Sequence, residues 1–194
     1  MTGHVLSVHV GRPREAAWTT IGRTSIDKTT VPGPVAVGAL GLAGDQVSNL
    51  RHHGGPDKAV YAFAREDLDR WAAAFERPVP DGTFGENLTT AGLDVNDAEV
   101  GERWRIGSDL VVEVTMFRTP CSTFKAWLGR NGYDDRAWLR RFVEDGRPGA
   151  YLRVVVPGPV AAGDAIEVVH QPGRGVTVAS WFAQAMGTAA PEAR

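Results

Sequence analysis

The sequence predicts a single, mainly β domain with several helices, and two observations support that prediction. The 23 glycines and 12 prolines together make up 35 of the 194 residues, well above the roughly 12% expected in globular proteins. Because glycine allows positive φ and proline fixes φ, this excess predicts many turns and disfavours a helical bundle. Two similar turns, Gly101-Glu102 and Gly163-Asp164, each lead into a predicted strand, which suits a barrel whose strands begin in similar ways.

The strands follow from alternation with period two or from short continuous apolar runs. The opening segment Gly3–Gly11 alternates apolar and polar residues, and Leu110–Met116 has the strongest strand pattern of the chain. Lys58–Ala64 is a short apolar run typical of a buried strand. Further strands are expected within Val31–Gly38, where a turn comes first, and in Ala150–Val156 and Ala165–His170.

Three segments have the apolar spacing of a helix. The first, Arg65–Glu76, ends before Pro78 and places four residues on one face: Leu68, Trp71, Ala72 and Phe75. The second follows Asp134 or Asp135, either of which could cap it, and ends at Gly146. Its expected inward-facing residues are Trp138, Leu139, Phe142 and Val143. The third, Val176–Met186, could be one amphipathic helix.

Composition and charge exclude several classes of protein. The chain has 21 basic residues, 23 acidic residues and one cysteine, which excludes internal disulfides and cysteine-rich zinc or iron–sulfur sites. No segment approaches the roughly 20 apolar residues of a membrane helix, and the first residues lack the pattern of a signal peptide. We therefore expect a cytoplasmic protein that binds no membrane, and the acidic balance disfavours nucleic acid.

The lone cysteine, Cys121, lies in the only basic segment of the chain. Residues 118–153 contain eight basic and four acidic side chains, whereas the segments on either side are net acidic. Nearby cations favour a thiolate and an anionic ligand. The alternative is that Arg136, Arg140 and Arg141 form the solvated face of a helix.

A glycine turn with flanking cations is the first candidate site. The run Arg51-His52-His53-Gly54-Gly55-Pro56-Asp57-Lys58 combines backbone N–H groups with positive charge, which suits an anion. The alternative is a tight turn with ordinary surface charges. His52 and His53 would form a poor chelating pair on a strand, because successive side chains face opposite sides.

Two further segments could carry chemistry. The run Gly85-Glu86-Asn87-Leu88-Thr89 could direct Glu86 and Asn87 into a pocket, or it could be a bulge with capping side chains. The run Arg118-Thr119-Pro120-Cys121 follows the strongest strand, and the loop after a strand is both fixed and accessible. A single cysteine is often a small buried apolar residue, but in this cationic loop it could bind a soft metal or act as a nucleophile.

These motifs together resemble those of MOSC-domain proteins, a family named after the C-terminal domain of molybdenum cofactor sulfurase, and in particular its stand-alone YiiM-like branch. The resemblance spans roughly Val5 to Val169. The shared motifs, in order, are Gly44-Asp45, His53-Gly54-Gly55-x-x-Lys58-Ala59-Val60-Tyr61, Gly85-Glu86-Asn87-Leu88-Thr89, Arg118-x-Pro120-Cys121, Gly149-Ala150-Tyr151-Leu152-Arg153-Val154 and Gly163-Asp164.

The resemblance implies a closed β-barrel decorated by α-helices over residues 1–170, which binds the molybdopterin form of the molybdenum cofactor. YiiM-like proteins often continue into a three-helix domain, so residues 171–194 are expected to be a tail with only the first of those helices. Cys121 matches the family cysteine that ligates molybdenum, which makes it the expected catalytic and metal-binding residue. The other cofactor-binding residues implied are Arg51, His53, Gly54, Gly55, Lys58, Glu86, Asn87 and Arg118. Of these, Glu86 and Asn87 are expected to contact the pterin edge or the substrate.

The resemblance also implies an activity, the molybdenum-dependent reduction of N-hydroxylated compounds, such as hydroxylaminopurine-type base analogues, to amines. The chain shows no Gly-x-Gly-x-x-Gly nucleotide fingerprint and no cysteine set for an iron–sulfur cluster. The electrons are therefore expected to come from a separate reductase. The barrel could also form a homodimer.

Two alternatives stay open at the level of the sequence. The barrel could hold the cofactor or sulfur without turnover, as a carrier or binding module. Alternatively, Cys121 could be the nucleophile of a hydrolase with His53 as the base and Asn87 as the orienting group, although no loop resembles a recognised nucleophile motif.

Overall fold

The computed structural model describes residues 2–50 and 53–189. Within these residues the strands are β1 Thr2–Gly11, β2 Arg14–Glu15, β3 Arg23–Thr24, β4 Lys28–Thr30, β5 Val35–Gly38, β6 Gly41–Leu42, β7 Val60–Ala64, β8 Leu88–Ala91, β9 Arg103–Ile106, β10 Leu110–Phe117, β11 Ala150–Val156, β12 Gly158–Val160 and β13 Ala165–His170. The helices are α1 Arg65–Phe75, α2 Ser122–Arg130, α3 Trp138–Asp145 and α4 Val178–Met186.

Seven strands form a closed barrel in the order β13-β9-β10-β11-β7-β8-β1, and β1 closes it by pairing with β13. All neighbouring pairs are antiparallel except β7 and β8, which run parallel. The closing register places Gly3 of β1 opposite Ile166 of β13. The predicted mainly β fold with a closed barrel and attached helices is therefore confirmed.

The longer strands and the first helix lie where the apolar pattern predicts them. All five residues of β7 are buried, because α1 packs against β7 and β8 and covers the barrel at this point. The inward-facing Leu68 and Trp71 of α1 are buried as expected. The two turns with a glycine and an acidic residue precede β9 and β13, and these strands pair through Ile106 and Ile166.

The prediction that an aspartate caps the second helix is wrong. The residue at the N-terminal cap of α3 is Ala137, in a left-handed conformation with φ 50° and no capping side chain. Asp134 instead accepts bonds from the Arg136 side chain and backbone, which lower the pKa of its carboxyl to about 2. Trp138 and Phe142 point inward as predicted, but Leu139 is exposed.

A cluster of aromatic rings joins α1, α2 and α3. The ring centroids of Trp71 and Trp138 are 4.6 Å apart, and Phe124 lies 5.0 Å from both Phe84 and Trp138. Rings that meet at these distances and angles contribute beyond their buried area. The cluster therefore fixes the position of α2 on the barrel.

The helix of the tail packs directly on the barrel. Its N-terminus is capped by Thr177, whose hydroxyl accepts a bond from the backbone N–H of Ser180. Phe182 is buried, with its ring 5.2 Å from that of Phe117 on β10. The boundary at residue 170 between barrel and tail stays a prediction. Among the helices of the described residues, none has the length and apolarity to span a membrane.

Candidate functional site

One cavity of about 260 Å³ brings together most of the residues singled out by the sequence. Such a volume is near the lower end of the roughly 300–1,000 Å³ of small-molecule sites. The predicted residues in its lining are His53, Gly54, Gly55, Lys58, Asn87, Arg118 and Cys121. Glu86 is not in this lining, and Arg51, with its neighbour His52, lies outside the described residues.

Cys121 is the N-terminal cap of α2. Its Sγ accepts a hydrogen bond from the backbone N–H of Phe124 at 3.4 Å, and the side chain is half-buried in the cavity wall. The N–H groups of a helix start carry partial positive charge, which suits an anionic ligand beside the sulfur. Helix α2 was not predicted, although Phe124, Trp127 and Leu128 have the spacing that could have revealed it.

Arg118 is a buried cation without a carboxylate partner among the described residues. Only 5% of the residue is exposed, and its guanidinium lies over the rings of Phe124 and Tyr61, at 4.2 and 4.9 Å from their centroids. One N–H donates to the carbonyl of Phe84, and the buried Nε has no partner. Because an unpaired buried charge is costly, this arrangement suits an anionic ligand.

Two tyrosines form another part of the wall, and sequence reasoning gave them no role. The hydroxyl of Tyr61 donates to the carbonyl of Pro148 at 2.8 Å, and the hydroxyl of Tyr151 lies 3.3 Å from Nδ1 of His53. Burial raises the pKa of both phenols. Both therefore stay neutral at physiological pH. Both tyrosines lie in motifs that resemble those of the MOSC family, and that resemblance was the available signal.

The glycine turn requires its glycines. Gly54 and Gly55 have φ of 77° and 85°, a region that other residues rarely adopt. A Cβ on Gly54 would also lie 3.2 Å from a methyl group of Val47. The turn ends in a short 3-10 helix, Pro56–Lys58, which places Lys58 in the cavity lining.

Asn87 lines the cavity, but protein groups already use its amide. The amide oxygen accepts from the N–H of Tyr61 at 3.1 Å, and the amide nitrogen donates to the carbonyl of His9 at 3.1 Å and to Asp45 at 2.9 Å. These bonds tie β1, β7 and the residue before β8 together. They do not support the hydrolase alternative, in which Asn87 would orient His53.

Glu86 lies behind the cavity wall, and its expected contact with the pterin edge or the substrate stays a prediction. It is fully buried, and its Oε1 accepts from the N–H of Gly82 at 2.6 Å and the hydroxyl of Thr89 at 3.0 Å. Burial raises the pKa of the carboxyl, although these bonds partly oppose the shift. The position indicates a role in holding the segment before β8.

Lys28 and Asp45 complete the polar wall, and Lys28 was not singled out from the sequence. Both line the cavity, and Lys28 Nζ lies 2.6 Å from Asp45 Oδ1. Burial is the main cause that lowers the pKa of Lys28, Asp45 opposes this effect, and the nearby charge of Arg118 adds to it. Lys28 stood in a polar stretch without a recognisable motif, so no signal in the sequence identified it.

The basic segment contributes one cation to the cavity. Among its eight basic residues, all of which the structure describes, Arg118 alone lines the cavity. Arg136 and Arg140 are exposed and pair with Asp134 and Glu144. The predicted solvated face of a helix is therefore right for Arg140 only, because Arg136 precedes α3 and Arg141 lies over the rings of Trp71 and Phe75. Arg118 has the environment expected of an anion site.

Comparison with known proteins assigns the chain to a protein family. The family model of the MOSC domain matches residues 49–167, about three-fifths of the chain. The protein YflK of Bacillus subtilis is 30% identical over 177 residues, which cover 90% of this chain and 76% of YflK. A protein named Reductase, from Gibberella moniliformis, is 32% identical over 178 residues, which cover 88% of this chain and 30% of that longer protein.

A solved structure with the same architecture is that of YiiM from Geobacillus stearothermophilus. It is 28% identical, with a TM-score of 0.75, and the superposition covers 93% of this chain and 82% of that one. The similarity therefore extends over the barrel and its helices rather than over isolated motifs.

Proposed function

Because the chain belongs to the MOSC domain family, we propose that it binds a molybdenum cofactor around Cys121 and reduces N-hydroxylated compounds to amines. The similarity to YiiM and to a protein named Reductase supports an oxidoreductase-like role in general. The observation that carries the proposal is that one cavity holds both a thiol at a helix N-terminus and a buried cation that has no counter-ion among the residues the structure describes.

The residues present fit such a cofactor. Its phosphate and pterin are anionic and polar, and the buried Nε of Arg118 is an unpaired donor in the cavity wall. Thiolate is a ligand that soft metals prefer. Within the described residues no group of three His, Cys, Asp or Glu side chains could hold a metal ion by itself. Cys121 would therefore be a single protein ligand to a metal held mainly by its cofactor.

The proposed reaction adds two electrons and two protons to the N–OH group, breaks the N–O bond, and releases the amine and water. When bound, the molybdenum centre supplies the two-electron chemistry. The electrons would come from a separate reductase. Lys28 Nζ holds a proton in the cavity wall, and its lowered pKa makes it a stronger acid than an exposed lysine. Tyr61 and Tyr151 stay protonated and shape the wall.

Metal and pterin analysis of protein from a host that makes the cofactor tests the proposal. We expect molybdenum and pterin in the wild type and their loss in Cys121→Ala. Ser122→Ala is the matched control, because Ser122 is the next residue, is exposed and lies outside the cavity lining. Absence of molybdenum from the wild type, or equal loading of Cys121→Ala, would refute cofactor binding through Cys121.

The assay that separates an enzyme from a carrier uses an N-hydroxylated compound and a chemical reductant. Turnover by the molybdenum-loaded wild type supports the reductase. Stable loading without turnover of such compounds would instead favour the alternative of a cofactor or sulfur carrier.

A further inference from the structure

Three exposed aliphatic side chains surround the cavity, and they come from three different connections of the fold. Ile21 lies between β2 and β3, Leu40 lies in the turn between β5 and β6, and Leu50 follows β6. All three line the cavity. We call Ile21, Leu40 and Leu50 the apolar rim.

Two members of the apolar rim, Leu40 and Leu50, are unusually exposed for this protein. Leu40 is 77% exposed and Leu50 is 80% exposed, more than any other large apolar residue among those described, and Ile21 is 44% exposed. One exposed leucine needs no explanation, but several that converge on the mouth of one cavity indicate a surface that a ligand covers.

The charge of the cavity restricts what that ligand can be. The charged side chains of the described lining are Arg23, Lys28, Lys58 and Arg118 on the positive side and Asp45 on the negative side. The resulting positive potential disfavours a cationic ligand. The lining is continuous from the polar wall, which includes Arg118 and Cys121, to the apolar rim. A ligand that fits therefore has a polar reacting end and an apolar body.

We propose that the apolar rim binds the apolar body of a neutral or anionic substrate, and that it selects N-hydroxylated compounds carrying an aryl or long alkyl group over those whose substituent is as small as a methyl group. This inference rests on the proposed function for the reacting N–OH group. Leu40 and Leu50 act as specificity residues, because removing them takes away apolar contact area without touching the polar wall.

A pair of substrates with the same N–OH group and different bodies tests the proposal. With dithionite as reductant, the Leu40→Ser/Leu50→Ser double variant should have a KM for phenylhydroxylamine about tenfold higher than that of the wild type. Its kcat, and its KM for N-methylhydroxylamine, should stay within about twofold. Leu139→Ser is the matched control, because Leu139 is exposed on α3 and lies outside the cavity lining.

A second measurement does not depend on catalysis. The fluorescent dye 8-anilinonaphthalene-1-sulfonate combines an apolar body with an anionic group, and it should bind the cofactor-free wild type about tenfold more tightly than the double variant. If the wild type reduces neither substrate, the proposed function fails, and the dye alone decides whether the apolar rim is a binding surface. Equal dye affinity in both proteins, or an equal rise in KM for both substrates, overturns the proposal. It is also overturned if the double variant is impaired only with a protein electron donor, which would assign the apolar rim to donor docking.

Discussion

The ammonium nitrogen of Lys28 lies 2.6 Å from Oδ1 of Asp45, with nine-tenths of each side chain buried. The same carboxylate accepts from the N–H of Gly11 at 2.6 Å and from the amide of Asn87 at 2.9 Å. Asp45 therefore joins β1, β4 and the residue before β8 within the cavity wall. It also balances the buried ammonium group of Lys28, whereas Arg118 has no carboxylate partner within the described part of the chain.

Asp45→Asn should destabilise the protein strongly. The change leaves the Lys28 ammonium buried without its counter-ion, and breaking a buried pair by removing one partner costs about 3 kcal/mol or more. Urea unfolding measures the loss. Asp27→Asn is the control, because the Arg14–Asp27 pair has a similar length but is largely exposed, and exposed pairs contribute about 0.5 kcal/mol. Equal effects of the two substitutions would contradict the role given to Asp45.

Arg118→Met should make the cofactor-free protein more stable, by about 1–2 kcal/mol, because an apolar side chain of similar length replaces an uncompensated buried charge. The same variant should lose bound molybdenum. A gain in stability together with a loss of loading is the signature of a residue kept for binding rather than for folding.

Arg147→Met is the matched control for that measurement. Arg147 is an arginine with a partner, since it forms an ion pair with the buried carboxylate of Asp67. Its removal should cost about 3 kcal/mol, because Asp67 is then left without a counter-ion. If Arg118→Met were as damaging as Arg147→Met, Arg118 would be a structural residue, and the anion site would lose its main support.

Glu86→Gln should change how stability depends on pH. Burial raises the pKa of Glu86 above its ordinary value of 4.5, so the folded protein keeps a proton that the unfolded chain releases. Stability from this group is present at low pH and is lost as pH rises above 4.5 toward the folded pKa. A glutamine oxygen can still accept from Gly82 and Thr89, so the variant should keep the fold without this loss.

Urea unfolding measured from pH 5 to pH 8 checks the direction of this pH dependence of stability. The stability of Glu86→Gln relative to the wild type should increase with pH. Glu15→Gln changes an exposed residue, and its curve should run parallel to that of the wild type. A difference between Glu86→Gln and the wild type that stays constant with pH would show that Glu86 is ionised throughout.

The elements predicted from the sequence are those whose burial has a simple period. The continuous burial of β7 and the alternation of β10 are visible in the residues themselves. Strands of two residues, such as β2 and β6, are too short to show any period. They exist because neighbouring strands outside the barrel supply their hydrogen-bond partners, as when Val37 of β5 pairs with Leu42 of β6.

The residues of the candidate site also divide into those that the sequence predicts and those that it does not. Cys121 and Arg118 could be recognised in one short motif, because the thiol and the cation are only three positions apart in sequence. Lys28 comes from β4 and Tyr151 from β11, and closure of the barrel brings both into the lining beside Cys121. A single sequence carries no signal for contacts that arise only when distant strands meet.

Gly149 lies where the backbone before β11 packs closely against β7, and it supplies a test of that packing. Its φ is 72°, and a Cβ there would lie 2.6 Å from a ring carbon of Phe63 and 2.7 Å from the carbonyl oxygen of Ala62. Gly149→Ala should therefore add a clash to backbone strain, and we expect a loss of about 3 kcal/mol or more. Gly163→Ala isolates the strain alone, because Gly163 has φ 93° and nothing within 4 Å of an added Cβ. That control should lose about 1 kcal/mol in urea unfolding, and similar losses in the two variants would show that β7 can move away from β11 without cost.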